Sequence, residues 1–298
     1  MAPLLSIVIA NYNYGRFLPE ALESVLSQSC GDFELIIVDG GSTDDSVEVI
    51  KRYANAPGAK IAWWVSEPDK GQSDAFNKGF ARARGRFLTW LNADDVMLPG
   101  TVEELKAAAE KFPAQEWFTG GCLWLDPEMR VIRCGRSRRM SWTRAFRGLV
   151  NVGGPSSFFT KDLFSRAGGM DVRCRYTMDT DLWLRFALKE GRAFRPFIRY
   201  AWGLRLHPEA KMSGHNFSAD GKFAAGAFTA ESAASDGRKA AGLKAEREMT
   251  AAKLPPLRGG MNTALSLLTA DHLPALLSRW DTARFKGRHY TDVPGVKR

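Results

Sequence analysis

LLSIVIANYNYGRFLPEALESVLSQS, Leu4–Ser29, changes period halfway along. Its first seven residues form an unbroken apolar run of the kind a strand shows when both faces are covered. From Phe17 onward, Phe17, Ala21, Leu22, Val25 and Leu26 fall on one helical stripe, with Pro19 tolerated near the helix start. The switch then recurs. FELIIVD is a second buried strand and DDSVEVIKRYA its helix, for which Ser42 or Thr43 is the expected cap. IAWWVS and GQSDAFNKGFARA make the third pair. FLTWLN and TVEELKAAAEKF make the fourth, with Thr101 and Glu104 spaced as a capping box.

Four strand–helix alternations predict an α/β fold with a mostly parallel central sheet and helices on both faces. Ligands of such sheets gather beyond the carboxyl ends of the strands. The polar residues sit there: Asn11 and Tyr12, then Asp39, then Glu67 and Asp69, then Asn92, Asp94 and Asp95. Four polar clusters are therefore expected on one rim.

After Trp117 the alternation stops. WFTGGCLWLDPEMRVIRCG reads as a hairpin turning at Asp126-Pro127, SSFFTKDLFSRAGGMD as a short strand and helix, and YTMDTDLWLRFALKEG as a helix opening with Asp179 and Asp181. The division expected is 1–214 as the catalytic domain and 215–298, rich in Ala, Lys and Glu, as a helical C-terminal extension.

The 298 residues, 45% hydrophobic, suffice for one large core. With 42 Lys and Arg against 33 acids the formal charge is +9, which favours anionic partners. Cys30, Cys122, Cys134 and Cys174 include no CxxC pair and read as free thiols of a reducing compartment. The N-terminus reads as a strand without a signal peptide, and ALSLLTADHLPALL is broken by Asp271, His272 and Pro274. The expectation is a cytoplasmic protein, peripheral at most on the inner face of the membrane. Seven arginines and no acid lie between Arg130 and Gly148. They are either a solvated basic face or a contact for an anionic acceptor or membrane surface. No nucleic-acid-binding signature accompanies them.

Asp39-Gly-Gly-Ser-Thr-Asp-Asp follows a strand and opens a helix, yet matches neither GxGxxG nor GxxxxGK[ST]. It is a plain turn, or an acid placed to meet a base or ribose. Asp95 reads as a turn or cap residue, Asp94 as a ligand for a hard divalent cation that also holds diphosphate oxygens. Asp179 and Asp181 are helix caps, or one of them is a general base, and the pattern does not rank them. His207 is a structural histidine or, with Lys211 and Ser213, part of a diphosphate clamp.

SIVIANYNYGRFLPEALESVLSQ, FELIIVDGGSTDDS, DKGQSDAFNKG, FLTWLNADD and MDTDLWLRF occur in this order and resemble family 2 of the inverting, nucleotide-sugar-dependent glycosyltransferases, with the GT-A fold. The likeness covers about two-thirds of the chain. It implies a divalent cation, manganese or magnesium, and a nucleoside-diphosphate sugar, typically of UDP, as donor to a glycan or lipid-linked acceptor in polysaccharide assembly. It implies that Ala10, Asn11 and Tyr12 lie against the nucleotide. Asp39 matches the acid that meets the base, and Asp74 and Asn77 the helix start near ribose and diphosphate. The DxD motif falls on Asn92, Ala93 and Asp94, so Asp94 carries most of the metal binding. Asp179 matches the general base with Asp181 in support. Pro155, Ser156 and Ser157 match an acceptor wall, and His207 a late histidine that meets metal or diphosphate. The alternatives are a non-catalytic sugar-nucleotide-binding component of an assembly complex and a nucleotidyltransferase.

Overall fold

The computed structural model describes residues 2–140, 152–211 and 272–293, together with positions 145, 150 and 249. Nine strands and seven helices concern us. The strands are β1 (Leu5–Asn11), β2 (Phe33–Asp39), β3 (Ile61–Ser66), β4 (Phe87–Asn92), β5 (Val96–Met97), β6 (Trp117–Leu125), β7 (Val131–Gly135), β8 (Ser157–Thr160) and β9 (Arg195–Arg205). The helices are α1 (Leu18–Leu26), α2 (Ser46–Ala54), α3 (Gln72–Arg82), α4 (Thr101–Lys111), α5 (Lys161–Ala167), α6 (Met178–Leu184) and α7 (His272–Phe285).

All nine strands join one sheet, in the order β3-β2-β1-β4-β8-β6-β9-β5, with β7 alongside β6. The first four are parallel, and the register Asn11↔Asp39 aligns the ends of β1 and β2. That half is the strand–helix alternation of the sequence. Beyond β4 the sheet is mixed: β8 runs antiparallel to β4 and β6, β9 parallel to β6, and β5 antiparallel to β9. Strands β5 and β9 have no counterpart in the sequence reading.

Alternate residues of each strand feed opposite layers, as the pleat requires. Leu5, Ile7 and Ile9 of β1 pack with α1, α2 and α4. Val8 faces α3, α5 and α6 across a cluster of rings in which Trp183 stacks on Trp90 and Trp117 and meets Phe159 edge-on. Helices thus cover both faces. The hairpin turns at Asp126-Pro127 as the sequence suggests, with Met129 N–H bonded to Asp126 O at 3.0 Å. Cys122 and Cys134 lie one register step apart, opposite Gly135 and Leu123, and both are buried free thiols.

Two capping expectations need correction. Gly100 in the left-handed region caps α4, while Thr101 Oγ1 donates to Leu98 O at 2.6 Å, so there is no capping box. Asp45 occupies the cap position of α2, because Ser42 is drawn back to Asp39. Against the hairpin lies the C-terminal helix α7. Phe285 joins Leu123, Leu125 and Tyr200 in a third core cluster, and buried Asp281 accepts from Arg136 Nε at 2.7 Å and from the Tyr200 hydroxyl. Among the described residues no helix is long and apolar enough to cross a membrane.

Candidate active site

A hollow of about 1090 Å³ opens beyond the carboxyl ends of β1 to β4. Every one of those ends contributes to its wall: Ala10 and Asn11, Gly40 and Gly41, Pro68 and Asp69, then Asn92, Ala93 and Asp94. The opposite wall comes from the mixed half of the sheet and its helices, through Pro155, Arg175, Tyr176, Asp179, Arg205 and Lys211.

On the parallel side, Asp39 is fully buried and does not line the hollow. Its oxygens accept from Ser42 Oγ (2.5 Å), Ser66 Oγ (2.6 Å), Asn11 Nδ2 (2.7 Å) and the backbone N–H groups of Ser42 and Gly41 (2.9 and 3.2 Å). Burial alone would raise its pKa, but these donors outweigh burial and hold the carboxyl below its ordinary value. The acid expected to meet the base therefore shapes the wall through Gly40 and Gly41. At Gly40 a Cβ would sit 2.7 Å from an Asp69 oxygen and 3.3 Å from the Tyr12 ring, so any larger residue would displace the Asp69 carboxylate from its place on the wall. Tyr12 is 59% exposed at the mouth, an unusual state for an aromatic ring without a partner to stack on.

The helix start that borders the hollow is Gly71, Gln72 and Ser73, rather than Asp74 and Asn77. Asn77 is committed elsewhere: its amide donates to Met170 O at 2.8 Å and accepts from Met170 N–H at 3.0 Å, pinning the Gly168-Gly169 turn. Asp74 accepts from the Lys70 N–H at 3.1 Å. Glu67 pairs with Lys78 at 2.9 Å and is likewise absent from the lining.

Asn92, Asp94 and Asp95 follow β4. Gln72 Nε2 donates to Asn92 Oδ1 at 2.8 Å, which orients the amide so that Asn92 Nδ2 donates to Asp95 at 2.7 Å. Asp95 also accepts the Arg205 N–H at 3.0 Å. Burial and then the charge of Asp94 push the Asp95 carboxyl well above its usual value. It ties the loop to β9, a structural role matching the sequence reading. Asp94 instead faces the hollow, with His207 Nε2 3.1 Å from its Oδ2. The His207 ring is buried against Phe17 and Tyr14, and its Nδ1 has no hydrogen-bond partner among the described residues.

These two side chains suit a divalent cation. Donor atoms about 3 Å apart are as close as neighbouring ligands of one octahedral ion with bonds near 2.1 Å. Among the described residues no group of three or more His, Cys, Asp or Glu side chains could hold a metal ion, so further ligands would be water, uncharged oxygens or substrate phosphate. A magnesium-like ion held by one carboxylate plus phosphate oxygens fits that pattern.

At the start of α6, Asp179 and Asp181 part company. Asp179 lines the hollow, and its Oδ1 accepts the Thr180 N–H at 2.7 Å. Burial raises its pKa, only partly offset by that bond and the Lys211 charge. Asp181 is fully buried and does not line the hollow; Arg185 holds it through Nε (3.0 Å) and Nη2 (2.6 Å). The expected support residue is thus half of a buried ion pair. Ser156 and Ser157 are also turned away, donating to Gly153 O at 3.1 and 3.3 Å, and of the expected acceptor wall only Pro155 remains on the lining. Lys211 is present, 3.5 Å from Gln72 Oε1; Ser213 lies outside the described residues.

The glycosyl transferase family 2 model matches residues 6–118. An uncharacterized glycosyltransferase of Nostoc sp. is 43% identical over 101 residues, 34% of this chain and 31% of its own length. A PGL/p-HBAD biosynthesis glycosyltransferase of Mycobacterium bovis is 31% identical over 185 residues, 62% of this chain and 70% of that protein. The chain belongs to glycosyl transferase family 2. Within solved structures, the mannosyltransferase PcManGT of Pyrobaculum calidifontis, in complex with GDP-Man and Mn2+, superposes with a TM-score of 0.59. It shares 17% identity, and the match covers 95% of this chain and 74% of that one. The GT-A fold is common to both. The family match ends at the start of β6, so Asp179, Arg205 and His207 lie beyond it. Arg205 and Gln72 were not singled out from the sequence. Gln72 stood within the quoted DKGQSDAFNKG, whereas Arg205 depends on a strand that left no signal.

Proposed function

We propose that the protein transfers a sugar, with inversion, from a nucleoside-diphosphate donor to a hydroxyl of a glycan or lipid-linked acceptor. What supports this reading is that Asp94, at the end of a parallel strand, and Asp179, at the start of α6, line one hollow, with the buried His207 behind Asp94 at 3.1 Å. Tyr12 and the Gly40-Gly41 turn offer a flat, open wall for the base. Asp94 and His207 would hold manganese or magnesium, as the Mn2+ of the archaeal mannosyltransferase complex suggests. Such an ion supplies Lewis-acid stabilisation of diphosphate charge.

The chain's own part is proton transfer and orientation. Asp179, facing the hollow and made more basic by burial, takes the proton of the acceptor hydroxyl. The hydroxyl oxygen forms its bond to the anomeric carbon as the carbon–oxygen bond to the diphosphate breaks, and the nucleoside diphosphate leaves. Arg175 and Lys211 line this hollow and bring positive charge suited to that leaving group, while Arg205, also on the lining, is paired with Glu20.

A panel of UDP-, GDP- and dTDP-sugars tests the proposal, with release of nucleoside diphosphate as readout. Asp179→Asn is expected to keep donor binding, seen as a ligand-induced rise in melting temperature, and to lower turnover by about 10²–10⁴-fold. Asp94→Ala is expected to lose the manganese-dependent part of that rise. Pyrophosphate release, or donor binding with no turnover by the unmutated protein, would reject the transfer reading.

A further inference from the structure

The described part of the Arg-rich stretch contributes nothing to the lining of the hollow, and the fold gives it a neighbour. Gly287 N–H bonds to Val131 O at 2.7 Å, Cys134 N–H to Thr282 Oγ1 at 2.9 Å, and Arg136 to Asp281 at 2.7 Å. Helix α7 therefore runs antiparallel to β7, and the chain leaving β7 heads toward the helix start. It carries Arg138 and Arg139, both exposed, in that direction. Arg144 and Arg147 lie outside the described residues.

The outward side of α7 matches this charge. Asp281 and Phe285, one turn apart, face the hairpin and are buried. Arg279, Arg284, Lys286 and Arg288 are exposed. Asp281 is consumed by Arg136 and Tyr200, and among the described residues the other acids of this region, Asp126, Glu128 and Asp292, lie at the far end, in the β6–β7 turn and beyond the helix. Trp280 stands among these cations 57% exposed, with the Arg284 guanidinium 5.0 Å over its ring. An exposed tryptophan within a cationic surface has the composition that rests at a bilayer interface: the indole enters the headgroup layer and the cations meet anionic lipids.

We infer that α7 and the Arg138–Arg139 segment form a docking face for an anionic membrane surface, with Trp280 as its anchor. This extends a contact suggested by the Arg-rich sequence to a helix that the sequence did not implicate. It does not depend on the glycosyl-transfer reading, since vesicle binding is measured without a donor.

The test is co-sedimentation of the full chain with vesicles of phosphatidylcholine alone and of phosphatidylcholine mixed with phosphatidylglycerol. Binding is expected to the anionic vesicles only, and to vanish near 1 M salt, where the screening length is about 3 Å. The triple variant Arg279→Gln, Trp280→Ala, Arg284→Gln alters only exposed side chains. It should melt as the unmutated protein does and bind these vesicles at least about twenty-fivefold less, roughly fivefold for each of the two cations with the loss of the Trp280 anchor in addition. Arg284→Gln alone should show about fivefold and serves if the triple variant misfolds. Equal sedimentation with neutral vesicles, no sedimentation with either, or undiminished binding by the folded variants would overturn the inference.

Discussion

Asp179 carries two consequences of one displacement. Its carboxyl is pushed up by burial, so the basic form appears only above the ordinary carboxylate range. If it is the base, turnover rises with pH through that raised value, and the acidic limb of the rate profile reports it. The stability effect has the opposite sign. An acid whose folded pKa exceeds its unfolded one contributes stability that is complete below the unfolded value and lost as pH rises through the folded value. Asp179→Asn should therefore melt no lower than the unmutated protein at neutral pH while losing turnover; parallel loss of both would assign Asp179 a structural role. The sequence pattern could not rank this residue against Asp181, because both stand in one helical turn and only the partner separates them. Arg185 claims Asp181, and nothing in MDTDLWLR announces which of two acids an arginine four residues on will take. Asn77 shows the same limit, since its commitment to the Met170 backbone joins segments 93 residues apart. By contrast the sequence reading did part Asp94, which faces the hollow, from Asp95, which ties its loop to β9.

Arg185 also sets a test at the level of the element. Helix α6 begins at Met178 and continues as a π-helical turn over Arg185–Lys189, and its inner face carries the Asp181–Arg185 pair with Arg185 Nη1 bonded to Ala167 O at 2.7 Å. Arg185→Ala removes both guanidinium hydrogen bonds from a buried carboxylate and should cost about 3–5 kcal/mol in urea unfolding. Replacing both residues with apolar ones of similar size, Asp181→Leu with Arg185→Met, should recover most of that loss. If the double variant were as unstable as the single one, the pair would be contributing net stability. At this scale the parallel half of the sheet was readable because each strand is a continuous apolar run followed by a helical stripe. Strand β9 was not. RPFIRYAWGLR mixes charges with apolar residues, and its partners are β6, about 80 residues earlier, and the two-residue β5, so its evidence is pairing rather than composition. The loss of β9 hid Arg205 and the way His207 is delivered to Asp94.

Asp281 binds the last described residues to the rest of the molecule. The sequence suggested a helical extension after residue 214, separate from the catalytic domain. Residues 272–293 pack Phe285 and Val293 into one cluster with Leu123, Leu125 and Tyr200, and β9, which carries Tyr200, also lines the hollow through Trp202, Leu204 and Arg205. Arg288 O and Gly287 N–H extend the hydrogen bonding of β7, and Arg130 and His289 form a bridge. A helix held this way unfolds with the sheet it covers. Asp281→Ala strips the partner from Arg136 and the Tyr200 hydroxyl inside that cluster, a loss of about 3–5 kcal/mol by the precedent of broken buried pairs. At about 2–4 °C per kcal/mol for a chain of this size, the single calorimetric transition should fall by roughly 6–20 °C. Burial raises the Cys134 thiol to about 11, and it lies beside Asp281, so a thiol reagent should label it faster in the variant at temperatures below that transition. A transition left in place while Cys134 becomes reactive would mean that α7 peels away alone, making the docking face a detachable element rather than part of the catalytic body.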